Sequence, residues 1–194
     1  LYADIEIPKP PTYEDDYSTR KVSGQAEDMK FEISLANDYP DMPKGLNARQ
    51  KKDWIYQRMV KDHYRCVVGV DEGLGRVLEW LDENGQAEDT LVMFTSDNGY
   101  FLGEYGWYDK RFMYEPSHRL PFVARYPRAG KKGQDVEAMV LNIDIAPTIL
   151  DYAGVSAPAT MQGRSLRPLL EGATPEDWRN RVNYAYYENS WRLV

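Results

Sequence analysis

A long run of helical periodicity, followed by a short apolar run, constrains the fold of this 194-residue chain more than any other feature. Apolar residues recur every three or four positions from 54 to 81, the spacing that places side chains on one face of a helix. Asn47 with Gln50 three residues later resembles a capping box, and Asn84-Gly85 marks the predicted end. The sequence therefore predicts one long amphipathic helix. Its apolar stripe contains Trp54, Ile55, Met59, His63, Cys66, Val67, Val70, Leu74, Val77, Leu78 and Leu81.

Four residues inside this predicted helix call for separate interpretations. Gly73 and Gly75 each weaken a helix by up to about 1 kcal/mol relative to alanine, so we expect a bend or a close backbone contact there. Cys66 lies on the apolar stripe, which predicts a small core residue. His63 lies on the same stripe and is predicted to be a packed histidine rather than a ligand.

After the helix, apolar runs of strand length alternate with short helical patterns. The runs at 90–95 and 121–126 predict strands, the first of them buried on both faces of a sheet, and residues 138–141 predict a third. Asp144 and Ser165 are the predicted N-caps of two short helices, the first ending at Gly154. This order predicts an α/β fold with a mixed sheet flanked by helices.

Composition and the positions of proline and glycine residues divide the chain into three predicted parts. Residues 1–46 contain five prolines and no sustained period, which predicts an extended segment that wraps over a surface or forms a functional loop region. Residues 47–172 form the predicted α/β domain. Residues 173–194 end in strand-like alternation and predict the start of a small C-terminal antiparallel sheet. The net charge of −7 and the absence of a long apolar run argue against nucleic-acid and membrane partners.

Asp97 and Asn98 follow the predicted strand at 90–95, at the sheet edge where α/β proteins bind ligands. A carboxylate and a side-chain amide supply hard oxygen ligands, which suit Ca²⁺ or Mg²⁺ better than Zn²⁺. On spacing alone a plain Asp-Asn-Gly turn is the stronger interpretation. Lys110, thirteen positions after Asp97, reads on composition alone as a solvated surface lysine.

A resemblance to a known family decides between these interpretations. The stretch TSDNGYFLGEYGWYDKRFMYEPSHRLPFVARYP, followed by LNIDIAPTILDYAGV and MQGRSLRPLLEG, resembles the sulfatase family of the alkaline-phosphatase-like superfamily. The resemblance runs from about residue 47 to 172. It implies that Asp97 and Asn98 are ligands of a divalent cation, usually calcium, and that Lys110 binds the sulfate of a substrate. Metal and ammonium together would neutralise the charge that grows as the S–O bond breaks. The stretch WYDKRFMYE resembles glycan-acting sulfatases more than simple arylsulfatases, which implies a sulfated saccharide as substrate.

The positions where this sequence departs from the family pattern are as informative as the positions that match it. Sulfatases use a formylglycine nucleophile made within a C-x-P/A-x-R motif, and this sequence has no such motif. Cys66 is the single cysteine and lies in RCVVG, so it is not the nucleophile. The other metal ligands of the family belong to its N-terminal half. We therefore expect this chain to be the C-terminal part of a sulfatase, inactive alone, with the N-terminal half as its partner. Tyr105 stands where many relatives have histidine.

Two further features near the predicted site keep alternatives open. His118 follows Lys110 by eight residues and is a weaker candidate for substrate contact, while adjacency on an extended chain makes a Ser117–His118 catalytic pair improbable. The aromatic residues between the metal pair and Lys110 either pack the loop or form a platform for a sugar ring. These aromatic residues are Tyr100, Phe101, Tyr105, Trp107 and Tyr108.

Two alternative functions remain. One is a phosphodiesterase or phosphonate hydrolase of the same superfamily, against which Asn98 argues because an Asp-His metal pair is more frequent there. The other is a non-catalytic module derived from the fold, which would not respond to calcium. The family resemblance implies a periplasmic, extracellular or lysosomal location.

Overall fold

The computed structural model describes residues 1–20, 23–25, 27–129, 133–185, 187–188 and 192–193. Its contacts divide the chain into two compact units. Unit 1 comprises Leu1–Val77, Asn98–Leu120 and Tyr186–Val194, and unit 2 comprises Leu78–Asp97 and Pro121–Ala185. The two units interleave along the sequence, whereas the boundaries expected after residues 46 and 172 stay predictions.

The predicted long helix is confirmed as α1, Ala48–Glu83. Its capping box is formed as expected: the Gln50 N–H donates to Asn47 Oδ1 at 2.9 Å, and the Asn47 N–H donates to Gln50 Oε1 at 3.0 Å. Beyond its last turn, Gly85 has a φ of +64°, a left-handed conformation that glycine adopts at low cost. Local sequence signals therefore set both ends of this helix.

The N-terminal segment 1–46 packs against the first half of α1. The Tyr56 hydroxyl donates to the carbonyl of Pro8 at 2.6 Å, and the Gln57 side chain bonds both the N–H and the carbonyl of Ile7. The segment also contains a π-helical turn at Phe31–Leu35. The buried residues of this core are Ile7, Tyr13, Phe31, Ile55, Tyr56, Met59 and Val60. The surface under the segment is thus supplied by α1 of the same chain.

The apolar stripe of α1 is buried in its first half, contains exposed valines between residues 67 and 77, and is buried again at Leu81. Val67, Val70 and Val77 expose 51 to 52% of their surface. Cys66 is exposed too, so the prediction of a core cysteine is wrong for this chain. Periodicity identified the apolar face correctly but could not tell whether the same chain covers it.

The close backbone contact that was one of two expectations for the glycines inside α1 is not found, and the alternative, a bend, stays a prediction. The helix runs through both without interruption, and a Cβ placed at Gly73 or Gly75 would meet no described atom within 4 Å. The predicted close backbone contact is therefore wrong. His63 is half-buried and stacks on the Tyr100 ring, with centroids 6.0 Å apart, which agrees with a packed histidine.

In unit 2, the first two predicted strands are confirmed. Strand β1 (Val92–Thr95) pairs antiparallel with β4 (Phe122–Arg125), with Val92 opposite Arg125 and Thr95 opposite Phe122. The burial expected on both faces is not found, since all of β1 is half-buried and Val123 is 62% exposed. Residues 138–141 form no strand, so that prediction is wrong.

The predicted short helices of unit 2 are present as α3 (Ile145–Tyr152) and α4 (Arg167–Leu170). Gly154, with φ +71°, follows α3 as expected, and the Arg167 N–H donates to Ser165 Oγ at 3.2 Å. The cap predicted at Asp144 is not made by its side chain. Its carboxylate instead accepts the Leu141 N–H at 2.8 Å, one turn before the helix.

At the C-terminus, β5 (Tyr187–Glu188) pairs antiparallel with β6 (Arg192–Leu193), as the predicted terminal sheet requires. Residues 181–185 form no strand, and the remaining positions of the predicted alternation, 186, 189–191 and 194, lie outside the described residues. The α/β class with small antiparallel sheets is confirmed. No helix within the described ranges is both long and apolar enough to cross a membrane.

Candidate functional site

A tight hairpin in unit 1 carries the predicted substrate lysine. Strand β2 (Phe101–Leu102) pairs antiparallel with β3 (Tyr108–Asp109), and Lys110 follows β3 directly. The turn between the strands contains Gly103 at φ +106°, and a Cβ there would meet the Tyr56 ring at 2.6 Å. The glycine therefore lets the hairpin approach α1 closely.

Trp107 anchors this hairpin in an aromatic cluster. Its ring is fully buried, lies parallel to Tyr17 with centroids 5.5 Å apart, and meets Phe101 edge-on at 5.6 Å. Because Phe101 and Trp107 have no exposed surface, they pack the loop and are not a sugar platform. The guanidinium of Arg20 covers the Tyr105 ring at 4.4 Å, which occupies one face of that ring as well.

The backbone around Lys110 is strained. Tyr105, Asp109 and Phe112 have φ values of +58°, +76° and +62°, in the left-handed region that residues other than glycine rarely adopt. Such conformations cost on the order of 1–3 kcal/mol each and persist where the surroundings enforce them, often at functional sites. The buried Trp107 packs against two of these residues, with its ring centroid 5.5 Å from that of Tyr105 and 5.8 Å from that of Phe112.

The Lys110 side chain is 51% exposed, and its Nζ lies 3.9 Å from Asp109 Oδ1. The other oxygen of Asp109 accepts the Arg111 Nε–H at 3.2 Å, and Arg111 also pairs with Asp28. The pair between Lys110 and Asp109 is longer than a hydrogen bond, so the ammonium keeps its capacity to bind an anion. Nearby, burial and the charge of Asp109 raise the pKa of Tyr100 to about 12, which keeps this phenol protonated.

Asn98 is placed by the backbone on its C-terminal side. The N–H of buried Gly99 donates to the carbonyl of Ser117 at 3.0 Å, in helix α2 (Glu115–His118). A Cβ at Gly99 would lie 2.2 Å from the carbonyl oxygen of Pro116, closer than atoms can approach. Glycine is therefore required after Asn98, and half-buried Asn98 is held beside α2.

Asp97 belongs to unit 2, where it ends the chain segment that contains β1. Its side chain is exposed, with Oδ1 at 3.4 Å from Ser96 Oγ. Its backbone carbonyl accepts a hydrogen bond from Asn142 Nδ2 at 2.9 Å. Sequence reasoning did not identify Asn142, because nothing in the local pattern links residues 45 positions apart.

His118 is exposed, and its Nε2 lies 3.5 Å from Glu115 Oε1 in the same turn of α2. Ser117 is only 5% exposed, so the two side chains have different environments and form no catalytic pair. The conclusion from the sequence holds, although the reason differs, since these residues lie in a helical turn and not in an extended segment. The role of His118 toward substrate stays a prediction.

The donor set fits part of a hard-cation site. Asp97 and Asn98 offer a carboxylate and an amide oxygen on consecutive residues, whereas Ca²⁺ takes six to eight oxygen ligands. In the described part of the chain, no three His, Cys, Asp or Glu side chains are grouped so as to hold a metal. These two residues alone would therefore supply only part of the ligands that such a cation takes.

Comparisons with known proteins find a family model and relatives that this chain resembles. The sequence model of the family described as N-sulphoglucosamine sulphohydrolase, C-terminal, matches residues 103–194. An N-acetylglucosamine-6-O-sulfatase from Bacteroides thetaiotaomicron is 38% identical over 97% of this chain and 42% of its own length.

Two solved structures resemble the fold. One, described as a complex with its substrate D-glucosamine-2-N,6-O-disulfate, is 35% identical with a TM-score of 0.87, over 97% of this chain and 47% of that one. The other, a phosphonate monoester hydrolase from Silicibacter pomeroyi, is 33% identical with a TM-score of 0.74, over 91% of this chain and 34% of that one. The chain thus spans less than half the length of each of these relatives.

Fold and similarity together define an alkaline-phosphatase-like protein. Within that superfamily, residues 103–194 match the C-terminal model of a sulfatase family, and the chain is 38% identical to a sulfatase over 97% of its own length.

Proposed function

We propose that this chain is the C-terminal part of a sulfuric ester hydrolase that removes sulfate from a sulfated saccharide. Asp97 and Asn98 would supply half of a calcium site, and Lys110 would bind the sulfate group. The observation that carries the proposal is the 38% identity to an N-acetylglucosamine-6-O-sulfatase over 97% of the chain. A sulfated hexosamine, the substrate type in the names of two relatives, is therefore the first substrate to test.

The proposed roles follow from charge. A sulfate ester gains negative charge on its bridging oxygen as the S–O bond breaks, so cationic groups aimed at the sulfate stabilise that state. Lys110 supplies an exposed ammonium on a hairpin whose conformation is fixed by packing around Trp107. Bound calcium would add Lewis-acid polarisation of a sulfate oxygen. Mg²⁺ is a second possible occupant with similar chemistry.

We further propose that the N-terminal half of the sulfatase fold completes the site and covers the exposed stripe of α1. Val67, Val70 and Val77 form an apolar row along one helix, and such rows mark surfaces that bind another segment. The formylglycine of the family would come from that half, since no C-x-P/A-x-R motif occurs here. The complete protein is this chain joined to that half.

Sulfate release from N-acetylglucosamine 6-sulfate by the complete protein tests the proposal. We expect turnover that is lost when EGTA removes calcium and restored when calcium is added. Lys110→Ala should lower kcat/KM by about 10²–10³, the usual effect of removing one charge-stabilising group. Lys44→Ala, at another exposed lysine of unit 1, is the matched control and should leave turnover unchanged. Equal activity of both variants would remove Lys110 from the mechanism.

The similarity to a phosphonate monoester hydrolase favours one alternative, a phosphonate or phosphodiester hydrolase. The same complete protein, assayed with a phosphonate monoester and a sulfate ester at equal concentration, separates the two functions. We expect kcat/KM to be higher for the sulfate ester. A higher value for the phosphonate would reverse the assignment, and no turnover of either ester would favour a non-catalytic module.

A further inference from the structure

The side chain of Asn142 forms a hydrogen bond with the backbone of Asp97. Its Nδ2 donates to the Asp97 carbonyl at 2.9 Å, and both residues belong to unit 2. The peptide group is planar, so a bond that fixes this carbonyl also fixes the plane of the peptide that follows Asp97. A hydrogen bond at this point therefore limits rotation of the backbone that carries the proposed ligand pair.

A buried carboxylate stabilises the turn that contains Asn142. Asp144 has no exposed surface and accepts the N–H groups of Leu141 and Arg164, each at 2.8 Å. The guanidinium of Arg179 bonds both of its oxygens. Three partners on separate segments thus fix the position of one side chain at the base of the turn 141–144.

Glycine at position 163 makes this network possible. A Cβ at Gly163 would lie 1.9 Å from the carbonyl oxygen of Ile143 and 2.5 Å from its carbon, both of them backbone atoms in the turn. The close approach of the two backbones brings the Arg164 N–H to Asp144. The turn is therefore clamped by the Asp144 bonds on one side and by direct backbone packing on the other.

The geometry points to Asn142 as a positioning residue that, through its hydrogen bond to the Asp97 carbonyl, orients the proposed metal-ligand pair. This inference rests on the proposed function, because it assigns a role toward the cation that Asp97 and Asn98 would hold. Neither the turn signal nor the family motif assigns this role to Asn142. The prediction is specific to the side-chain donor, since the amide N–H₂ is what reaches the carbonyl.

The test compares variants of the complete protein by calorimetric titration with calcium chloride. Asn142→Leu keeps the size of the side chain and removes the donor, and Asn142→Gln keeps an amide donor on a longer stem. We expect Asn142→Leu to weaken calcium binding about fivefold, the usual net effect of one hydrogen bond, and Asn142→Gln to restore part of the loss. Asn183→Ala, at another exposed asparagine of unit 2, should bind calcium as the parent does.

Thermal unfolding in EGTA separates positioning from a structural role. A structural residue would lower the Tm of Asn142→Leu without changing the Kd for calcium, and that result would overturn the inference. The variant Asp97→Ala distinguishes a failure of the proposed metal site from a failure of the role of Asn142. If Asp97→Ala binds calcium like the parent, the proposed metal site is wrong. If Asp97→Ala loses binding while Asn142→Leu keeps it, the metal site stands and the role of Asn142 fails.

Discussion

In unit 1 the hairpin that carries Lys110 rests on an aromatic cluster around Trp107, whereas in unit 2 the turn beside Asp97 rests on the buried carboxylate of Asp144. Apolar packing is non-directional and does not depend on the protonation state of ionisable groups. A buried carboxylate is stable only while each of its partners is in place. The two supports should therefore fail under different conditions.

The largest effect is expected for Trp107→Ala. Removal of this fully buried ring leaves a cavity among Tyr17, Phe101 and Tyr114, and such changes cost about 3–5 kcal/mol. Hydrogen exchange of the chain should show lost protection in residues 98–120 and unchanged protection in residues 141–152. Trp80→Ala, at a tryptophan that is 53% exposed, is the control and should change little. Equal loss in both regions would mean that the supports are not separate.

A smaller but reciprocal effect is expected for Arg179→Met. The change leaves Asp144 buried with backbone donors alone, at a cost of about 3 kcal/mol, the lower end for a broken buried pair. Hydrogen exchange should show the loss in residues 141–152 and not in residues 98–120. Arg181→Met, at an exposed arginine nearby, is the matched control. A loss confined to unit 1 would contradict the comparison.

The two close-packed glycines provide a third, smaller contrast. Gly99→Ala and Gly163→Ala each force a Cβ against carbonyl oxygens, and we expect a loss of about 1–3 kcal/mol for each in urea denaturation. Gly73→Ala is the control, since that position is open and alanine favours a helix. A stabilising effect at either tight position would show that the backbone there can move aside.

The smallest effects should appear as opposite pH dependences. Burial alone would raise the pKa of Asp144, but hydrogen bonds from Arg179 and from the Arg164 and Leu141 amides lower it below its ordinary value. Its contribution is therefore present above the unfolded pKa of about 4 and is lost as the pH falls through the lower folded value.

In unit 1, burial raises the pKa values of Tyr17, Tyr56 and Tyr100 to about 12. Their contribution is present below the unfolded pKa of about 10 and is lost as the pH rises from about 10 to about 12. Hydrogen exchange or tryptophan fluorescence against pH should show unit 2 opening first in acid and unit 1 first in alkali. Burial also raises the pKa of Tyr152 in unit 2, so the alkaline contrast should be the weaker one.

Local signals in the sequence predicted the elements that depend on neighbours along the chain. The Asn47–Gln50 box and the strands around 92–95 and 122–125 are examples, because capping and apolar runs act within a few residues. The sequence also led to Asp97, Asn98 and Lys110 through family resemblance. Their assembly into one site stays a prediction.

What the sequence could not predict depends on distant partners. The exposure of Cys66 and Val70 depends on whether another segment covers the helix, which periodicity does not report. The carboxylate of Asp144 bonds residues 20 and 35 positions away, so its apparent helix cap was misleading. The left-handed conformation of Asp109 has no local signal, because residues other than glycine rarely adopt it.

Calorimetric titration of calcium into the chain alone and into the complete protein tests the central claim most directly. That claim is that Asp97 and Asn98 are half of a metal site which another segment closes. We expect the chain alone to bind more weakly than about 1 mM, the weak limit of natural calcium modules, and the complete protein to bind at least tenfold more tightly. Tight binding by the chain alone, or equal binding by both, would contradict the account.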